Sequence, residues 1–234
     1  MSPEAFVKML ARARATAILR AARQDVAAQA MEAAVRGGFR VVEFTLSTPG
    51  ALELVADFSR RSNLAVGAGT VLTVEQARNA VRAGARFLVA PNLDERVVAA
   101  AADLGVAVMP GVHTPTEMLR GHEAGAPLLK LFPAPAGGPA YLRAILAPLP
   151  FLRVVPTNGV DASNAAAWID AGAWAVGFVS ALFDPGELAR RDVAAIEERA
   201  RNLLKVVAAP PRSQSSAEGG QASTAEPGPR SSRS

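Results

Sequence analysis

RVVEFTLSTPGALELVADFSRRSNLAVGAGT, residues 40–70, decides the reading of the fold. It opens on a short apolar segment, Arg40–Thr45, and closes on another, Ala65–Thr70. Between them Thr48-Pro49 reads as a helix start, with a hydroxyl cap followed by proline at the first helical position. Strand, helix and strand joined in this way form a βαβ unit, whose two strands run parallel.

The pattern extends in both directions. Apolar segments recur at Ala17–Arg20, Phe87–Ala90, Ala107–Pro110, Leu128–Phe132, Arg153–Thr157 and Ala175–Val179. Alanine-rich stretches with helical spacing lie between them; Val26, Ala30, Met31, Ala34 and Val35 make one apolar helix face. Thr73-Val-Glu-Gln76 and Thr114-Pro-Thr-Glu117 both fit a capping box. Gly37-Gly38, Gly84, Gly105, Gly125 and Gly172 each fall just before a strand, where a helix needs a left-handed terminating residue. Eight strands alternating with helices over about 190 residues predict a parallel (β/α)8 TIM barrel, with an extra helix at the N-terminus. An open doubly wound sheet is the alternative. It would show a G-x-G-x-x-G turn after the first strand, where Arg20-Ala-Ala-Arg-Gln24 stands instead.

Composition narrows the function. The 234 residues include no cysteine, which excludes disulfides, a thiolate metal site and a cysteine nucleophile. With two histidines, His113 and His122, a histidine-rich metal site is excluded as well, and no cofactor is expected. The net charge of +4 comes almost entirely from arginine, scattered among 21 acids without a basic run, so no nucleic-acid partner is expected. No apolar run reaches the roughly 18 residues of a membrane span, and the N-terminus lacks a signal-peptide pattern. The expectation is a cytoplasmic enzyme without a membrane partner. From residue 209 onward the chain contains no Leu, Ile, Val or aromatic residue. Residues 1–208 are expected to form the enzyme domain, and 209–234 a disordered Pro/Gly/Ser-rich tail.

In such a barrel the chemistry lies at the C-terminal ends of the strands. Lys130 sits inside the apolar segment Leu128–Phe132 and shares a face with Leu128 and Phe132. Burial opposes its charge, which favours a neutral, nucleophilic amine. Glu43 shares a face with Val41 and Thr45 in a second strand. A carboxylate and an amine in one interior are candidates for acid–base and covalent chemistry; a structural ion pair is the alternative. Thr70 and Arg20 end their strands and are suited to a substrate carboxylate, unless they are a helix cap and a solvated rim arginine. Gly159 and Ser180 follow the last two strands, a common phosphate site in such barrels, or they are simple turn residues.

The blocks Ala17-Ile-Leu-Arg20, Val42-Glu-Phe-Thr-Leu46, Gly67-Ala-Gly-Thr-Val71, Ala90-Pro-Asn92, Met109-Pro-Gly111, Leu129-Lys-Leu-Phe-Pro133 and Val155-Pro-Thr157 occur in this order. Together they resemble the 2-keto-3-deoxy-6-phosphogluconate (KDPG) and 4-hydroxy-2-oxoglutarate (KHG) aldolase family, with some galactonate-type features. The resemblance implies a metal-free class I aldolase acting on a small keto acid, usually as a homotrimer. It implies Lys130 as the Schiff-base lysine, Glu43 as the general acid–base and Thr70 as a contact to the pyruvate portion. Pro91, Phe132 and Thr157, which lie in the matching blocks, join Arg20, Thr70, Gly159 and Ser180 as expected substrate-binding residues. Three positions depart from the family pattern. Ser47 stands where many members carry arginine, and Asn158 and Val179 stand where the phosphate loops carry glycine. A sugar-phosphate isomerase or epimerase, and a non-catalytic protein of the same fold, are the alternatives from other classes.

Overall fold

The structure is a computed structural model that describes residues 1–208. The tail expected over 209–234 lies outside the described residues. In chain order the elements are α1 (Pro3–Ala13), β1 (Ala15–Leu19), α2 (Gln24–Arg36), β2 (Val41–Thr45), α3 (Ala51–Phe58), β3 (Ala65–Gly69), α4 (Val74–Arg82), β4 (Phe87–Val89), α5 (Glu95–Asp103) and β5 (Ala107–Met109). There follow β6 (Gly111–Val112), α6 (Pro115–Glu123), β7 (Leu129–Leu131), α7 (Gly138–Leu146), β8 (Val154–Pro156), α8 (Ala165–Asp170), β9 (Val176–Phe178), α9 (Pro185–Arg190) and α10 (Val193–Ala208).

Every named strand pair is parallel, but the strands do not form the closed eight-stranded TIM barrel expected from the alternation. They form a curled six-stranded sheet, ordered β5-β4-β3-β2-β1-β9, and a separate three-stranded sheet, β6-β7-β8. The first seam falls at Pro110, inside the fifth apolar segment. Proline has no N–H to give to a ladder, so β5 pairs back with β4 while β6 pairs onward with β7. At the second seam β8 and β9 meet at a single bridge, Thr157 to Gly177.

Of the three helix-start signals, one acts in full, one in part and one not at all. Thr114 and Glu117 form a complete capping box at the start of α6. Thr73 accepts from Gln76 N at α4, but the Gln76 side chain turns back to Leu72 N. Thr48 caps nothing. Gly50, at φ 69°, begins α3, and the Thr48 hydroxyl accepts from Ala21 N at 3.2 Å, tying the loop after β2 to the loop after β1.

The outer sheet face packs on the helices through residues such as Val42, Phe44, Val66 and Ala68. The inner face begins with an apolar layer at the N-terminal strand ends, where Val41, Ala65, Phe87, Ala107 and Leu128 meet Phe6, Val7 and Leu10 of α1. Phe6 stacks on Phe87 with ring centroids 4.3 Å apart. Helix α1 therefore plugs one end of the interior. One layer further along, β2 carries Glu43 and β7 carries Lys130, while the same step on β4 and β5 is the apolar Val89 and Met109.

Candidate active site

Strand alternation places that second layer. Glu43 stands two residues beyond Val41 on the same face, opposite Ile18 of β1 and Gly67 of β3. Lys130 stands two residues beyond Leu128, opposite Gly111 of β6 and Val155 of β8. Glu43 is fully buried and Lys130 is 8% exposed.

The structural ion pair considered for them is not formed, since both Glu43 carboxyl oxygens are buried without a hydrogen-bond partner. Burial raises the Glu43 pKa, and the positive charges of Lys130 and then Arg20 oppose that rise. The three groups thus face one electrostatic environment. A buried carboxyl group with no donor is destabilising, and such groups concentrate where chemistry needs them. The amine of Lys130 lies over the Phe132 ring, 4.9 Å from its centroid.

The glycines of β3 make this arrangement possible. A Cβ on Gly69 would lie 1.8 Å from Glu43 Oε1, and one on Gly67 would lie 2.4 Å from Phe87 Cζ. The next residue, Thr70, has φ 59°. Left-handed backbone is a strained state for a β-branched residue, and strain of this kind collects at functional sites.

The remaining sequence candidates divide between separate regions. Pro91 and Phe132 line a cavity of about 300 Å3 together with Gly111 and His113. The Pro91 carbonyl packs against Gly111, where a Cβ would lie 2.2 Å away. Thr157 is buried, and its hydroxyl occupies the space beside Gly177 that a side chain there would fill. Arg20 and Ser180 line another cavity, of about 600 Å3, with Ile18 and Val179. Gly159 is not among the residues lining it. At φ 104° it lies against Ala134, and Ala134 N donates to the Thr157 and Asn158 carbonyls.

Sequence reasoning missed several polar groups. Thr16 Oγ1 is buried without a partner on β1, opposite Gly177. Thr45 Oγ1 lies 3.1 Å from Ser47 Oγ and 3.3 Å from Thr48 Oγ1. His113 Nδ1 is buried without a partner beside the Pro91–Phe132 cavity. Strand parity flags Thr16; nothing local flags His113. Among the described residues, no group of three His, Cys, Asp or Glu side chains is arranged to hold a metal ion.

Residues 7–199 match the KDPG and KHG aldolase family. The chain is 38% identical over 179 residues to 2-dehydro-3-deoxy-6-phosphogalactonate aldolase of Escherichia coli, covering 75% of this chain and 87% of that protein. It is 38% identical over 162 residues to 2-dehydro-3-deoxy-phosphogluconate aldolase of Treponema pallidum, covering 68% and 77% respectively. The fold superposes with TM-score 0.76 and 27% identity on KDPG aldolase of Legionella pneumophila, solved with pyruvate captured as a covalent carbinolamine, covering 84% of this chain and 97% of that one. The chain belongs to the KDPG and KHG aldolase family.

Proposed function

We propose that Lys130 and Glu43 carry the reaction of this aldolase, a carbon–carbon lyase, on a phosphorylated six-carbon 2-keto-3-deoxy acid. The observation that supports this most is one interior holding a strand-borne lysine and a buried carboxyl group with no partner. The substrate class follows the names of the Escherichia coli and Treponema relatives.

Neutral Lys130 adds to the C2 ketone, and loss of water gives a protonated imine, the electron sink. Glu43, through a water, takes the proton of the C4 hydroxyl. The C3–C4 bond breaks, an aldehyde leaves, and an enamine of pyruvate remains on Lys130. Glu43 returns a proton to C3, and hydrolysis frees pyruvate and the amine. One carboxyl group must serve as base and then acid, which suits a pKa raised above the ordinary carboxylate value by burial. Thr70 and Arg20 hold the keto-acid carboxylate, so that C2 faces the amine. Thr157, Pro91 and Phe132 border the reacting carbons. A homotrimer is part of the same proposal and is checked by light scattering.

Borohydride reduction in the presence of pyruvate tests the reading. The expected result is a pyruvate-derived mass on Lys130. The other two lysines, Lys8 on α1 and Lys205 on α10, are exposed. An adduct on either of them alone, or none, overturns the imine mechanism and favours an isomerase-type or non-catalytic role.

A further inference from the structure

Three inward positions lie in a row across β1, β9 and β8. Ala15, Ala17 and Leu19 pack outward against the helices, so the strand period turns Thr16 inward. Val176 and Phe178 pack outward in the same way and leave Gly177 facing in, while Val155 of the inner layer puts Thr157 on its own face. Thr16 pairs with Gly177, and Gly177 bridges to Thr157, so two hydroxyls flank one glycine. The Thr157 side chain leans over that glycine, where a Cβ would lie 2.5 Å from its Oγ1 and 2.8 Å from Ile18 Cδ1.

Neither hydroxyl is well satisfied. Thr16 is fully buried, and its Oγ1 has no partner. Thr157 is 1% exposed, and its hydroxyl reaches only Val155 O at 3.5 Å, beyond the usual range of about 2.5–3.0 Å for a hydroxyl donor. A buried hydroxyl left in this way is destabilising. Neighbouring strands lie about 4.8 Å apart, so Thr16 and a hydroxyl leaning over β9 from its far side stand roughly two hydrogen bonds apart. Two polar partners and the side chain missing at Gly177 supply what a buried water requires.

One end of this pair borders the chemistry. Thr157 N donates to Leu131 O at 3.0 Å, and Val155, two residues earlier, pairs with Lys130. Thr157 therefore faces inward diagonally across from Lys130 on the adjacent strand. We propose that Thr16 is a positioning residue, which through one buried water aims the Thr157 hydroxyl at the oxygen that leaves C2 during imine formation; the role rests on the aldolase reading above and deepens it. After the Lys130 amine has added to the ketone, its nitrogen gives one proton to the new C2 hydroxyl and Glu43 gives a second. The C2–O bond breaks with its electron pair on oxygen, water leaves, and the nitrogen lone pair closes the imine. Thr157 steadies the departing oxygen, and Thr16 with its water keeps the Thr157 hydroxyl from rotating away.

The test follows the rate of imine formation on the full chain. Protein is mixed with pyruvate and quenched with borohydride at successive times, and the mass added to Lys130 is read. Thr16→Val keeps the shape of the side chain and removes its hydroxyl. It is expected to slow the approach to the imine about tenfold, the scale of one hydrogen bond, with the final adduct yield and Tm unchanged. Thr16→Ser should recover the wild-type rate, and Thr16→Val added to Thr157→Val should slow that variant no further. A high-resolution crystal structure of the wild type should show a water within hydrogen-bond distance of both hydroxyls. A Thr16→Val rate within twofold of wild type overturns the proposal. So do losses that multiply in the double variant, a fall in yield or Tm that tracks the rate, or a crystal structure without that water. No adduct on wild-type Lys130 overturns the aldolase reading instead, and the crystallographic result then still decides the water site.

Discussion

Gly69→Ala should disable turnover by displacing one carboxyl group. Gly69 does not have positive φ, so alanine meets no backbone penalty there. The new methyl would lie 1.8 Å from Glu43 Oε1, 2.6 Å from Cδ and 2.9 Å from Cγ. A non-bonded carbon needs roughly 3.3 Å or more, so the carboxyl group must retreat by about 1.5 Å. A displacement of ~1 Å can reduce catalysis about 10²-fold, and kcat for pyruvate release should fall by at least that factor. Overpacking of this kind destabilises by about 1–3 kcal/mol, a drop of several degrees in Tm for a chain of this size. Lys130 lies on another sheet, so borohydride trapping of pyruvate should persist. Glu43→Asp removes one methylene, and in the Gly69→Ala background it should recover part of the lost kcat, although it impairs the wild type. The coupling is read as a double-mutant cycle. A kcat within threefold of wild type refutes the reasoning, as does equal loss of trapping and turnover.

Glu43→Gln should keep the pyruvate adduct and slow turnover by roughly 10²–10⁴ in steady-state assays. Because burial raises the Glu43 pKa, with Lys130 and Arg20 opposing, the acid limb of kcat/KM should lie above the ordinary carboxylate range; an acid limb at ordinary values would count against it. The same shift has a stability consequence. The folded state holds the proton more tightly than the unfolded one, so stability is greatest below the ordinary carboxylate range and falls as pH rises through the raised value. Glu43→Gln should remove that fall in Tm measured against pH. Arg199 donates to both oxygens of buried Glu187 at 2.5 Å. Arg199→Met should lower stability by about 1–3 kcal/mol in urea unfolding, less than the roughly 3–5 kcal/mol of a fully buried pair because the Arg199 side chain is 31% exposed; no change in the midpoint would contradict this.

Much of the site was legible because its signals are local. A residue two places along a strand from a core residue shares its face. That parity placed Glu43 above Val41 and Lys130 above Leu128 before any tertiary contact was known. The α6 capping box is likewise a matter of four consecutive residues, and Thr114 and Glu117 close it without help from the rest of the chain. The alternation of apolar and helical segments imposed parallel pairing, since a crossover helix returns each strand in the same direction.

Whether a set of parallel strands closes on itself is not a local property. It depends on ladders at Pro110 and between β8 and β9, where one missing N–H and a single bridge leave two sheets. Thr48 carries a cap signal, yet its hydroxyl serves Ala21, 27 residues away. The unpaired state of Glu43 was equally invisible, because it is set by what its neighbours on β1 and the glycine face of β3 fail to supply. The ion pair between Arg191 and Asp25 joins residues 166 positions apart. The sequence by itself determined which side chains face inward, through a two-residue period. The tertiary structure alone decided which of them meet, because hydrogen bonding and charge act across space between segments that no periodicity relates.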